Sequence, residues 1–275
     1  MQRHAVSVFA SGFEFPEGPA FDRFGNLFVV DVDTGEIAKI TQQGEVETFI
    51  NTGGKPNGAN FHANGDLYVA DREKGILAVS PDGDVRVVAD SFRGKKLNGP
   101  NDLVFDFDGN LYFTDPHGSS AEEPFGSIYR ICPDGKMTCL ATGLPFPNGL
   151  VANRKGSFLF VAITRKNRIL RYVMEPPVRS YLFSQLNGGW GPDGMALDER
   201  GNLYIAQYGG GDVLIVSPKG ELIERISVGG TFPTNVAFGG PDRKTLYVTE
   251  VETGSVYRFE TDCAGLELYG DRKII

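Results

Sequence analysis

A chain of 275 residues, 41% of them hydrophobic, is long enough to bury roughly 75% of its unfolded surface and has the composition of a soluble globular protein. Its net charge of −8 lacks the basic footprint that phosphate backbones require, which argues against nucleic acid as a partner. No apolar stretch approaches the ~20 residues that span a bilayer, and residues 1–6 lack the apolar core of a secretion signal, so no membrane contact is expected and the expected location is cytoplasmic.

Residues 5–10, Ala-Val-Ser-Val-Phe-Ala, read as one strand ahead of a repeating pattern. Repeat one then runs through Pro16-Glu17-Gly18-Pro19-Ala20-Phe21, a turn at Asp22 to Asn26, a buried strand Leu27 to Val30, a turn at Asp31 to Gly35, a half-exposed strand Glu36 to Ile40 and a fourth strand Val46 to Ile50. The alternation and the turn residues are those of short antiparallel strands.

The same frame returns at Pro56-Asn57-Gly58, Pro100-Asn101-Asp102, Pro147-Asn148-Gly149, Pro192-Asp193-Gly194 and, with a weaker oxygen ligand, Pro233-Thr234-Asn235. The aligned residues Glu17, Asn57, Asn101, Asn148, Asp193 and Thr234 are spaced by 40, 44, 47, 45 and 41 positions. Inner hairpins recur at Asn64-Gly65-Asp66, Asp108-Gly109-Asn110 and Arg200-Gly201-Asn202. Four strands per period, without a helical pattern, predict an all-β six-bladed β-propeller with four-stranded blades, one domain over residues 1–275, closed by the N-terminal strand. Pro116 to Phe125 reads as a long loop between the second and third strands of repeat three.

Cys132, Cys139 and Cys263 are odd in number and lack metal-ligand spacing, which excludes a disulfide framework and a thiolate zinc site. Cys132 and Cys139 flank the turn Pro133-Asp134-Gly135, so a pairing across two strands stays open.

In a propeller the first strand of each blade lines the central axis, so the six aligned residues form a ring at one mouth. Asp31, Asp71, Asp115, Gln207 and Glu250 leave the second strands on that face, where they are either ligands or turn formers. Converging carboxylates and amides without Cys or His suit a hard cation, most of all Ca²⁺, with Mg²⁺, Mn²⁺ or Zn²⁺ as alternatives. Glu17 and Asp193 supply charge, and Asn101 and Asn148 supply neutral oxygens. Asn57, Arg72, His117 and Trp190 are the expected substrate contacts: an amide, a guanidinium for a carboxylate or hydroxyl, an acid/base or rim group, and an apolar wall. An exposed cation polarises a carbonyl, and hydrolysis of an ester-like bond follows. No phosphate loop, serine nucleophile elbow or His-Glu-x-x-His motif is present.

The stretch Lys95 to Val104, continuing through Asp108-Gly109-Asn110-Leu111-Tyr112-Phe113-Thr114-Asp115-Pro116, resembles the gluconolactonase family, which includes regucalcin (senescence marker protein) and luciferin-regenerating enzyme. The Pro-x-Gly motifs at Glu17, Asn148 and Asp193 extend the likeness over nearly the whole chain. The resemblance implies one divalent metal in the channel, held by Glu17, Asn101, Asn148 and Asp193, with Asp193 as catalytic acid/base and a lactone, expected to be a sugar lactone or a related small one, as substrate. Two departures stand out: Gly99 occupies a position where regucalcin-like members carry Arg, and His117 one where many gluconolactonases carry Tyr. Two other readings share the same mouth: a phosphotriesterase or arylesterase, and a non-catalytic calcium-binding propeller. The oligomeric state is not legible.

Overall fold

Each predicted repeat folds as a four-stranded antiparallel sheet in the computed structural model, which describes residues 4–272. Blade 1 comprises Pro16–Phe21, Leu27–Asp31, Glu36–Ile40 and Val46–Asn51. Blades 2 to 5 begin at Pro56–Phe61, Leu103–Phe105, Pro147–Ala152 and Gly191–Leu197. Blade 6 takes Pro233–Gly239, Thr245–Glu250 and Ser255–Glu260 from the C-terminal part, and Ser7–Ser11 completes it in antiparallel pairing with Ser255–Glu260. The expected closure therefore forms, and the pairing leaves no open edge between the first and last blades.

The apolar core is divided among the six seams between blades. Val30, Ile37 and Val69 fill the seam of blades 1 and 2, Ile76, Phe113 and Leu103 that of blades 2 and 3, and Ala10, Val29 and Val256 that of blades 6 and 1. The remaining seams carry clusters of the same kind. The second and third strands are buried on both faces, whereas fourth strands such as Val46–Asn51 are mostly exposed, as expected of sheets stacked face to face with only the rim in water.

The loop 116–125 lies where expected, between Leu111–Asp115 and Gly126–Ile131. Two elements were not anticipated. A small hairpin of Ser91–Phe92 and Lys95–Lys96 precedes blade 3. After blade 6 the chain also crosses the face opposite the predicted mouth: Gly265 N donates to Arg243 O, Leu266 N to Leu197 O, and the Arg272 guanidinium to Phe107 O. Cys139 pairs with Tyr129 rather than Cys132, and all three thiols are free.

Candidate active site at the channel mouth

The ring residue projects inward because the inner strand bulges there. Pairing slips between Glu17 and Ala20, between Pro147 and Leu150, between Pro192 and Met195 and between Pro233 and Asn235. Such irregularities re-aim a side chain next to functional sites. The glycine after the ring residue is demanded by the next blade. A Cβ on Gly58 would meet Asp102 Oδ1 at 2.5 Å, one on Gly149 the Asp193 carbonyl at 2.3 Å, and one on Gly194 the Asn235 Oδ1 at 1.9 Å.

The acids that end the second strands have a structural role. Asp31 accepts from the amides of Glu14 and Phe15, Asp71 from Lys55, Asp115 from Asn98 and Gly99, and Glu250 from Phe232. Each clamps the backbone just before the proline of its own blade. The turn-former reading therefore holds for them, and their oxygens are not turned to a ligand. In blade 5, Gln207 replaces the acid and donates to Asn167 Oδ1 at 2.9 Å.

Glu17, Asn57, Asn101, Asn148 and Asp193 are all buried, Glu17 to 4% and Asp193 to 8% exposure. Glu17 Oε2 accepts from Gly18 N at 2.9 Å and from Asn235 Nδ2 at 3.2 Å. Asn148 favours the charged form of Asp193, while the Asn101 side-chain amide makes no hydrogen bond among the described residues. Burial pushes the Glu17 carboxyl up to about 8, with the Asp102 charge adding to it. Burial likewise raises Asp193 well above the usual carboxylate range, helped by the charges of Glu17 and Asp102. The two acids are thus buried within Coulombic reach of each other, an arrangement that favours protonation or a cation between them.

The substrate contacts divide by position. Arg72 Nη2 donates to Asn57 Oδ1 at 3.4 Å, and its charge lowers both Glu17 and Asp193. A Cβ on Gly99 would meet His117 Cβ at 2.7 Å and Arg72 Cγ at 2.9 Å. The departure at Gly99 therefore makes room for Arg72, delivered from blade 2, and for His117. Trp190, 61% exposed, stands further out, its ring edge-on to Tyr208 at 5.5 Å and Phe232 at 5.8 Å.

Three neighbours escaped the sequence reading. Asp102 and Asn235 occupy the place that glycine takes in the other repeats; Asn235 donates to Glu17 and favours the charged form of Asp102. Burial pushes Asp102 up to about 7. The missed signal was the break in the glycine pattern itself. The sixth repeat thus contributes Asn235 to the site rather than Thr234, whose hydroxyl donates to Pro16 O at 2.8 Å and ties blade 6 to blade 1. Tyr208, raised by burial and by the charges of Asp193 and Glu17, is the third.

All candidate donors are oxygens, two anionic and two neutral, and the Asn101 amide has no competing partner, so the set fits a hard divalent cation. Among the described residues no group of three or more His, Cys, Asp or Glu side chains is placed to hold a metal. The fit therefore rests on the mixed set of carboxylates and amides.

Residues 15–252 match the model of the SMP-30/gluconolactonase/LRE-like region. The chain belongs to this family. It is 32% identical to diisopropyl-fluorophosphatase of Loligo vulgaris, with 92% of this chain and 91% of that one covered. It is 30% identical to the gluconolactonase of Zymomonas mobilis, with 89% and 78% covered. Its fold matches that of regucalcin, a calcium-binding protein from Agrobacterium tumefaciens, with a TM-score of 0.83, 22% identity and 96% of each chain covered. The first-strand motifs and the ring lie within the matched family region.

Proposed function

We propose that the chain, one propeller domain over residues 1–275, is a metal-dependent lactonase acting on a small lactone, a sugar lactone in first place. The observation that carries the reading is the burial of two carboxyl groups, Glu17 and Asp193, within Coulombic reach of each other in the same ring as the buried amides of Asn101 and Asn148. Relatives at about this identity include proteins named gluconolactonase and lactonase. Glu17, Asn101, Asn148 and Asp193 would hold a divalent cation, Ca²⁺ first and Mg²⁺, Mn²⁺ or Zn²⁺ next, which would supply Lewis-acid polarisation of the carbonyl and the charge that returns both acids to carboxylates.

Asp193 is the general base. It takes a proton from the water that attacks the lactone carbonyl, and returns that proton to the ring oxygen as the carbonyl–oxygen bond breaks. Asn148 favours the charged form of Asp193. Arg72 and Asn57, joined by their hydrogen bond, offer donors to the substrate's polar substituents. His117 stands beside them as a rim contact. Tyr208 and Trp190 shield the opposite side from bulk water. Three free cysteines suit a reducing cytoplasm, and among the described residues no helix is long and apolar enough to cross a membrane.

A second reading, organophosphate hydrolysis at the same ring, of a phosphotriester or a phosphorofluoridate, is favoured by the 32% identity to diisopropyl-fluorophosphatase. Turnover of a lactone panel beside an organophosphate triester and diisopropyl fluorophosphate separates the two. Asp193→Asn and Glu17→Gln are expected to lower lactone turnover by about 10²–10³ or more with an unchanged circular dichroism spectrum. Full activity in either folded variant would sink the mechanism.

A further inference from the structure

Trp190, the only tryptophan in the sequence, is 61% exposed, yet the loop that carries it is firmly held. Gln207 Nε2 donates to Gly188 O, as does Asn167 Nδ2 at 3.0 Å, and Arg225 Nη2 donates to Asn187 O at 3.0 Å. Trp190 N donates to Tyr208 O at 2.7 Å. A Cβ on Gly209, at φ +73°, would meet Trp190 Cδ1 at 2.8 Å, so glycine there seats the indole. This gives the exception in blade 5 a reason. A carboxylate only accepts, whereas the Gln207 amide can donate to the Gly188 carbonyl. Fixing a ring that stays open to water adds little burial; what it provides is a rigid flat face.

Tyr208 is the layer between that face and the ring of ligand candidates. It feels the charges of Asp193 and Glu17, and its ring touches Trp190 at 5.5 Å and Phe232 at 5.0 Å. A single sugar lactone with its carbonyl at the ring therefore meets Tyr208, and Trp190 is reached by whatever unit is attached to it. The surround of the indole is polar. Arg165 lies over Phe146 at 5.4 Å and within Coulombic reach of Tyr208, and among the described residues it has no ion-pair partner. Lys166 and Asn187 are exposed in the same two loops. A pyranose has the matching duality: a C–H face for an aromatic ring and edge hydroxyls for cationic and amide donors.

We infer that Trp190 is the platform for a second sugar ring, so that the substrate is a glycosylated sugar lactone, an aldobionolactone. The inference rests on the lactonase reading above and narrows its substrate. The lactone carbonyl stays at the ring, and the outer pyranose stacks on the indole with its hydroxyls toward Arg165.

Because Trp190 is the only tryptophan, its emission reports on this platform with or without turnover. Stopped-flow mixing of the full chain, in Ca²⁺, with freshly prepared cellobionolactone should give a saturable blue shift, and gluconolactone, which has no second ring, little change. The KM for cellobionolactone should lie at least about tenfold below that for gluconolactone; Trp190→Ala should bring the two within about twofold, and Trp190→Phe should restore most of the difference. Unshifted emission in excess cellobionolactone, a KM ratio that Trp190→Ala leaves intact, or a larger shift with γ-decalactone, whose arm is hydrocarbon, would overturn the inference. No turnover of either lactone with the emission shift intact would instead remove the lactonase reading and leave the second-ring site standing.

Discussion

At the scale of single residues, the ring is decided by what sits beside each ligand as much as by the ligand. Glycine at 58, 149 and 194 is required because the neighbouring blade's atoms would lie 1.9–2.5 Å from a Cβ. Two of these glycines leave the space that Asp102 and Asn235 fill. Gly194→Ala should therefore displace Asn235, cost about 1–3 kcal/mol as overpacking does, and lower lactone turnover, measured by urea unfolding and by a lactone assay. The ligand candidates Glu17, Asn101, Asn148 and Asp193 were legible because an oxygen-bearing side chain recurs at one register. Asp102 and Asn235 were not, because a position that breaks a glycine pattern carries no sign of what its side chain reaches across the channel. Arg72 was legible only as a residue type. Its place opposite Gly99 depends on an approach between two blades, which one-dimensional spacing does not encode.

At the scale of elements, each blade ties its own ring residue in place. In blades 1, 2, 3 and 6 the second strand ends in an acid that clamps the backbone ahead of the proline, and threonine hydroxyls join one blade to the next: Thr114 to Asn148 O at 2.9 Å and Thr164 to Pro192 O at 2.7 Å. Asp115→Ala would leave the amides of Asn98 and Gly99 without their acceptor. That substitution is expected to cost about 1–3 kcal/mol and to loosen Asn101, read as a lower denaturation midpoint and weaker cation affinity. The strands themselves were readable from alternation and turn chemistry. The hairpin at Ser91–Phe92 and Lys95–Lys96 was not, since two-residue strands leave no periodicity. The crossing segment after Glu260 was equally hidden, because its hydrogen bonds go to scattered backbone groups of blades 3, 5 and 6 and leave no periodicity.

At the scale of the whole molecule, six seams share the core while three carboxyl groups, Glu17, Asp102 and Asp193, are buried around one axis. Glu17 is raised from its ordinary 4.5 to about 8 and Asp102 from 3.8 to about 7. A folded-state value above the unfolded one means that the native chain holds the proton more tightly, so stability is full at low pH and falls as pH rises through that window. With divalent cations chelated, the melting temperature should therefore drop between about pH 4.5 and 8. Added Ca²⁺ should remove most of that slope by stabilising the ionised acids. A flat profile under chelation would mean that these carboxyls are not held protonated by the fold.

The central claim is that a divalent cation at the ring is what makes this propeller hydrolyse lactones. Its most direct test is turnover of a lactone panel after exhaustive chelation and again after re-addition of Ca²⁺, Mg²⁺, Mn²⁺ or Zn²⁺ singly. The account predicts loss of at least about 10²-fold in rate on chelation and recovery with at least one of these ions, Ca²⁺ foremost. Undiminished lactone hydrolysis in the chelated, metal-free protein would contradict it.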